Sequence, residues 1–417
     1  MVKPGYKQTE IGLIPEKWEC FLLGERVKIF RGGSPRPIEA YITSSADGVN
    51  WIKIGDVKEG DKYITSTQEK ILQSGASKSR AVHVGDFILS NSMSFGRPYI
   101  LAVDGCIHDG WLTIQNYDNC FIKEFLYYLL SSEKIYNQYI AMAAGSSVKN
   151  LNKEKVSSVV VVCPANTEQQ LIANALSDID ELIFSLEKLI AKKKAVKQGA
   201  MQDLLTGKKR LPGFSGEWET INLCAKSKVK ARIGWQGLTA DEYLDSGYAY
   251  LVTGTDFCNG SIEWDKCHFV NVDRFNQDKN IQLQNGDILI TKDGSLGKTA
   301  IVKGLSKPAT LNSGGFVIRP NLNTFFSELV YYVLSSFVFK EFLDKLSAGS
   351  TIIHLYQKDI SKFSFDIPAT IEEQKAISDV LSNMDNEIES LEKKLEKYRN
   401  IKQGMMQQLL TGQIRLV

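Results

Sequence analysis

The chain has 417 residues, which at about 100–200 residues per domain implies two to three domains. With 43% hydrophobic and 24% charged residues it is globular in composition, which excludes disordered and collagen-like classes, and its net charge of +2 neither demands nor forbids a nucleic-acid partner. Seven cysteines without a C-x-x-C pair argue against a disulfide framework or a standard zinc site, and a start without a hydrophobic signal core leads to an expected cytoplasmic location.

In chain order, the first block opens around Trp18. It has strand-like runs at 51–54, 86–89 and 156–162 and an expected helix at about 122–143 that Gly145 stops. A long helix follows, entered through the capping-box pattern Thr167-x-x-Gln170. The second block opens around Trp218, with strand-like runs at 250–253 and 287–290 and an expected helix at about 325–346 that Gly349 stops. A second long helix follows, with Thr370-x-x-Glu373 at its start.

This order is a repeat. Residues 168–212 align without gaps on 373–417, with 23 of 45 positions identical, including K-Q-G-x-M-Q-x-L-L-T-G at Lys197 and Lys402. Upstream the likeness thins to a frame: Gly85-Asp86 and Gly286-Asp287 before apolar runs, Gly96 and Gly297 ten residues after each aspartate, Tyr127-Tyr128 and Tyr331-Tyr332, then Ala-Gly-Ser at 144 and 348. The blocks keep frame and turns while most other residues differ, as expected of one scaffold with two surfaces.

The long helices carry heptad seams: Ile172, Leu176, Ile179, Ile183, Leu186 and Ile190 in the first, and Ile377, Leu381, Met384, Ile388, Leu391, Leu395 and Tyr398 in the second. The first has a further apolar stripe containing Leu171, Leu182 and Leu189, more than one partner helix would cover. Gly199 and Gly404, mid-helix at a cost of about 1 kcal/mol each against alanine, are read either as kinks or as places where another helix approaches. These five residues are the candidates for partner docking. Two similar blocks, each followed by a similar helix, occupy equivalent environments about a pseudo-twofold axis if the helices run antiparallel.

DNA contact calls for flexible cations or backbone amides near phosphates and for Arg, Lys, Asn or Gln at groove edges. Three places combine these: the turn Arg31-Gly-Gly-Ser34-Pro-Arg36, the cationic entry to the second block with Lys230, Arg232 and Trp235, and two equivalent hairpins carrying Ser92 and Arg97, and Lys292, Ser295 and Lys298. The plainer reading of each is a solvated turn or strand edge.

Catalytic signatures are weak. Gly297-Lys298-Thr299 after an apolar strand resembles a P-loop, but lysine stands at 292 where the pattern needs glycine. Glu373-Gln374-Lys375 could pose as a nuclease E-x-K, yet it lies in the first turn of a long helix. The four histidines have no paired metal spacing, so neither catalytic nor metal residues are assigned. A P-loop-like nucleotide-binding enzyme and a coiled-coil scaffold that binds only protein stand as alternatives.

In order, duplication and spacing these motifs resemble the specificity subunit of type I restriction-modification enzymes, over essentially the whole chain. The family's G-G-T-P-like turn is matched by Gly32-Gly33-Ser34-Pro35 and degraded in the second half to Gly234-Trp235-Gln236-Gly237, and its S-x-x-G-K hairpin is matched at Ser295 and more loosely at Ser94. The resemblance implies an α/β (α+β) fold: two similar mixed α/β target-recognition domains, 1–165 and 209–368, joined by two long antiparallel coiled-coil helices, 166–208 and 369–417, in a pseudo-twofold internal repeat. It implies a noncatalytic subunit that reads a bipartite double-stranded DNA target and docks modification (methyltransferase) subunits, two per chain, with restriction subunits as further partners. The chain itself would hold no cofactor; S-adenosylmethionine would sit in the modification subunit, and ATP and Mg in the restriction subunit.

Overall fold

The two apolar-periodic stretches fold as helices of 39 residues, Asn166–Leu204 and Ile371–Leu409. The computed structural model describes residues 4–58, 60–91, 95–144, 150–234, 237–347 and 354–416. The chain forms two compact units, Met1–Glu187 with Lys393–Val417, and Lys188–Glu392, so each long helix contributes one half to each unit.

In the first unit the strand Phe87–Ser90, buried along its whole length, is flanked antiparallel by Pro98–Leu101 and Trp111–Gln115, with Leu89 opposite Leu112. Lys28–Arg31 and Tyr63–Ile64 complete a five-stranded sheet. A second five-stranded sheet contains Val49–Ile52 and Gly105–Ile107, which run parallel. The second unit repeats the plan in a four-stranded sheet, where Ile288–Thr291 lies between Thr299–Ile301 and Gly315–Pro320 with Ile290 opposite Phe316. A three-stranded sheet contains the parallel pair Ala249–Val252 and Ala309–Leu311.

The Gly-Asp motifs start the central strands. Gly85 and Gly286 take positive φ (95° and 91°), which favours glycine, and each following carboxylate accepts from a turn amide, His83 N–H or Gln284 N–H. Asp287 is also held by Arg319, Asp86 by Gln115.

Each expected single helix is instead a pair: Lys123–Leu130 with Glu133–Ala143, and Ser327–Leu334 with Phe337–Ser347. The hydroxyls of Ser132 and Ser336 accept from Ile135 N–H and Val338 N–H, and such local bonding restarts a helix where periodicity alone shows no break. The run at 156–162 is likewise not one strand. Asn152 caps a short helix, Lys153–Ser157, and only Val160–Cys163 is extended, paired with Glu19–Leu22. Thr167 lies inside the first long helix, which starts at Asn166, rather than ahead of it as a cap, and in the second helix the Glu373 carboxylate is held by Arg210. Gly145 and Gly349, the expected helix stops, lie outside the described residues.

The helix ends belong to the block cores. Ile172 and Leu176 pack in one cluster with Trp18, Leu409 and Leu410, and Ile377 and Leu381 in another with Leu204 and Leu205. Within the first unit the helical segments pair antiparallel through Glu187–Arg399, Asp180–Lys402 and Glu168–Arg415; within the second through Lys193–Glu387, Lys197–Asp385 and Arg210–Glu373. Of the remaining seam positions Leu186, Ile190 and Ile388 are buried, whereas Ile179, Ile183, Met384, Leu391, Leu395 and Tyr398 are half-buried. Gly199 and Gly404 sit in uninterrupted helix, and a Cβ on either would meet nothing within 4 Å.

Candidate nucleic-acid interface

The turn after Lys28–Arg31 closes on Asp109. Arg31 Nε donates to its carbonyl (3.3 Å), Ser34 Oγ donates to its Oδ1 (2.7 Å), and the Arg36 guanidinium lies 3.7 Å from Oδ2. The Ser34 hydroxyl is the main reason the Asp109 carboxyl sits below the usual range, with Arg36 adding to it. Asn91 Nδ2 donates to the same Asp109 carbonyl (3.0 Å). Beside them is a cleft of about 500 Å³ lined by Arg31, Lys53, Ile54, Gly55, Asn91, His108, Asp109, Gly110 and Asn150.

His108 is the cleft's inner wall. Its Nδ1 lies 2.6 Å from Gly110 N and its Nε2 3.2 Å from Ile54 N; a neutral ring accepts at only one nitrogen, and the shorter contact marks Nδ1. Burial holds this ring's pKa below that of an ordinary histidine, against the opposing pull of Asp109.

The second unit builds the same backbone frame. Asn91 N–H donates to Gly110 O (3.1 Å) and Asn91 O accepts from Leu151 N–H (3.0 Å); Lys292 does the same with Gly314 (2.9 Å) and Leu355 (3.1 Å). Lys53 N–H bonds the Asp56 carboxylate at 2.7 Å, as Thr253 N–H bonds Asp256 at 2.7 Å. Gly110 N–H is met by the side chain of His108, Gly314 N–H by that of Asn312. On this frame the cleft residues have counterparts, and eight of the nine differ: Arg31/Ala231, Lys53/Thr253, Ile54/Gly254, Gly55/Thr255, Asn91/Lys292, His108/Asn312, Asp109/Ser313 and Asn150/His354, with only Gly110/Gly314 shared. A common scaffold therefore presents two different sets of polar groups.

The strand register also corrects the alignment of the entry turns. Arg31 stands opposite Leu112 and Ala231 opposite Phe316, so Arg232 takes the place of Gly32, two residues off the glycine match. Arg232 is not a surface cation. It is 2% exposed, held against the strand Ala309–Leu311 with Nε on Leu311 O (3.1 Å) and Nη2 on Thr310 Oγ1 (3.2 Å). Lys230 is exposed on an edge strand. Ser92 and Trp235 lie outside the described residues.

The hairpin tips go elsewhere. Arg97 lines a cleft of about 1380 Å³ with Tyr127, Tyr136, Arg399 and Lys402. Lys298, exposed, donates to Gly254 O (3.1 Å) and borders a cleft of about 820 Å³ with Tyr331, Leu343 and Lys197. Ser295 is exposed at its tip, and Lys292 Nζ lies 5.8 Å over the Phe316 ring. Gly297-Lys298-Thr299 joins two antiparallel strands, with Thr299 already inside the second; a P-loop would lead into a helix, so that alternative falls on topology. Glu373 is taken up by Arg210, which removes the E-x-K reading. Among the described residues no group of His, Cys, Asp and Glu could hold a metal ion, and no helix is long and apolar enough to cross a membrane.

Lys53, Asn91, His108, Asp109 and Asn150 were not singled out by sequence. Positions that differ between copies leave no repeat signal; the traces nearby are the capping aspartates, Asp56 and Asp256, 200 residues apart, and the shared glycines Gly110 and Gly314.

Comparison with known proteins agrees with this architecture. The type I restriction modification DNA specificity domain matches twice, over residues 15–198 and 238–398. The chain is 24% identical to the type I restriction enzyme MjaVIII specificity subunit of Methanocaldococcus jannaschii over 97% of this chain and 94% of that protein, and 27% identical to the putative MjaX specificity subunit of the same organism over 99% and 97%. In fold it is similar to a chain from a structure of type I R-M complex assembly (TM-score 0.62, 17% identity, 96% of this chain and 99% of that one). It is also similar to the type I S subunit from M. genitalium (TM-score 0.58, 16% identity, 94% and 96%).

Proposed function

The chain belongs to the type I restriction-modification DNA specificity family, and from that premise we propose that each of its units reads one half of a bipartite double-stranded DNA target. The observation that carries this reading is the pair of equivalent frames whose residues differ at eight of nine positions, the polar ones among them included. Direct readout needs donors and acceptors held at fixed places, and a different set on each frame specifies a different half-site. Arg31, Arg36 and Lys53 would serve the first half-site, with Asn91, 4% exposed, holding the Asp109 turn beneath them; Lys230, Lys292 and Lys298 would serve the second.

The reading assigns no chemistry to this chain. Modification subunits, two per chain, would supply S-adenosylmethionine and methylate adenine, and restriction subunits would use ATP and Mg. Docking of the modification subunits is supported by Leu171 (45% exposed), Leu189 (38%) and Val196 (50%) along one helix, and by the open space over Gly199 and Gly404. Leu182 is half-buried and counts for less. Because a symmetric reader meets both half-sites on one face of the duplex, their centres would lie roughly 10 base pairs apart.

The experiment is an exchange. Replacing residues 226–366 with the corresponding region of a homologue, in a host that carries the cognate modification subunit, should change one half of the methylated motif and leave the other intact. Methylome sequencing reads this directly. A motif altered in both halves, or a continuous motif in the unmodified protein, would contradict the reading.

A further inference from the structure

Cys120 stands just ahead of the first block's helix pair, and Cys163 ends the strand Val160–Cys163 that leads into the first long helix. Their Sγ atoms are 3.4 Å apart. Gln169, in the opening turns of that helix, ties the two segments: its Nε2 donates to Cys163 Sγ (3.2 Å), Cys120 O (2.9 Å) and Pro164 O (3.0 Å), while its Oε1 accepts from Ile122 N–H (2.8 Å). The thiols therefore meet at the joint between the block and its helix. In the second unit Gln374 makes the same joint, accepting from Phe326 N–H and donating to Pro368 O, both at 2.8 Å. There the places of Cys120 and Cys163 are held by Thr324 and Ile367.

A glutamine tie thus suffices to build the joint, and the thiol pair is an addition confined to the first unit. We propose that Cys120 and Cys163 are a reversible redox modification site, closing to a disulfide in the presence of a small-molecule disulfide such as oxidised glutathione. Cys163 is 8% exposed and Cys120 half-buried, so Cys120 meets the oxidant first. Its thiolate attacks one sulfur of the oxidant, forming a mixed disulfide and releasing one thiolate. The Cys163 thiolate then attacks Cys120 Sγ, forming the internal bond and releasing the second. The protein gives up two electrons and two protons, and one oxidant becomes two thiols. The second step needs an approach of little more than 1 Å to reach the bonding distance of about 2 Å. Burial raises both thiols above their ordinary pKa, so closure is slow at neutral pH and quickens as pH rises. The closed bond spans the chain from 120 to 163 and staples the block to its helix.

The test uses the full chain equilibrated in buffers from fully reduced to fully oxidised glutathione. After acid quenching it is denatured and alkylated, and read by intact mass and peptide mapping. In oxidised buffer two of the seven thiols should be lost together, a linked Cys120–Cys163 peptide should appear, and dithiothreitol should restore both; the unfolding midpoint of the first unit should rise by several degrees. Cys120→Ser should abolish the linkage. Seven alkylated thiols in oxidised buffer, a glutathione adduct on Cys120 that never resolves, or a linkage to any other cysteine would overturn the proposal. Where Cys163→Ser does not fold, the wild-type mass shift and Cys120→Ser carry the test between them.

Discussion

Arg210 grips Glu373 through two parallel hydrogen bonds, Nε–H to Oε1 and Nη2–H to Oε2, each 2.7 Å. Arg415 holds Glu168 in the same way. Glu168 and Arg210 belong to one copy of the repeat, Glu373 and Arg415 to the other, so each pair joins the start of one copy to the end of its twin. The crosswise pairing recurs at Asp180–Lys402 and Lys197–Asp385. Where Glu168 and Glu373 are buried to within 3% of full enclosure, removing the arginine leaves an unpaired charge.

One consequence is a C-terminal truncation felt at the N-terminus. Leu409 and Leu410 pack with Trp18, Ile172 and Leu176 in the first unit's core. Removing residues 405–417 should unfold that block while the second unit stays protected in hydrogen exchange. The milder Leu409→Ala and Leu410→Ala should each cost the first unit roughly 2–5 kcal/mol. Equal loss of protection in both units would count against this division of the core.

Arg319 and Asp287 are a third such pair, bonded at 2.7 and 2.6 Å with Asp287 1% exposed. Arg319→Met strands the carboxylate at the start of the central strand and should destabilise the second unit by roughly 3–5 kcal/mol. In the first unit the neutral Gln115 holds Asp86, so Gln115→Met should cost less, about 1–3 kcal/mol. Chemical denaturation of the two variants gives the comparison.

His108 makes the first unit sensitive to acid. Its folded pKa lies below the ordinary value, chiefly through burial, so the unfolded chain takes up a proton that the folded ring resists. Stability is fully present above about pH 6.5 and falls as pH drops from there toward the folded pKa. His108→Asn, which installs the residue found at 312, should flatten the slope in that window. The separate loss at lower pH, as Asp109 protonates, should remain. A midpoint-against-pH curve left unchanged below about pH 6.5 by His108→Asn would exclude His108 as its source.

Cations on the two frames should separate by role. Arg31→Ala and Lys292→Ala should each lower the salt slope of DNA binding by about 1 if they meet phosphate, and change the methylated motif if they meet a base. Arg232→Gln, by contrast, should act through folding of the second unit, since the guanidinium is enclosed. Filter binding across salt concentrations and thermal unfolding distinguish these outcomes.

The exposed stripe should matter only in company. Leu171→Asp with Leu189→Asp should abolish co-elution with modification subunits while both blocks keep their unfolding transitions, because neither side chain is in a core. Co-elution that survives the double substitution would remove the stripe from the docking surface.

The duplication, the two long helices and the glycine-aspartate starts of the central strands were legible in the amino-acid sequence, because each rests on local spacing: a 205-residue offset, an apolar period, a turn that needs positive φ. Partnership was not. The antiparallel course of the helices was expected from the repeat, but not which side chains meet across it: Trp18 donates to Glu168 across 150 residues, and Glu168 is shared with Arg415. The same limit hid Lys53, Asn91 and His108. They come from strands and turns far apart in the chain and converge only when the sheets form, and their side chains differ from those at the matching positions of the other unit. Arg232 shows the converse, a cation in a basic run that the strand register turns inward, two residues from where the glycines had aligned it. Sequence determined the frame because backbone geometry is set by neighbours; tertiary structure decided which side chains share a cleft, because that depends on register between strands distant in sequence.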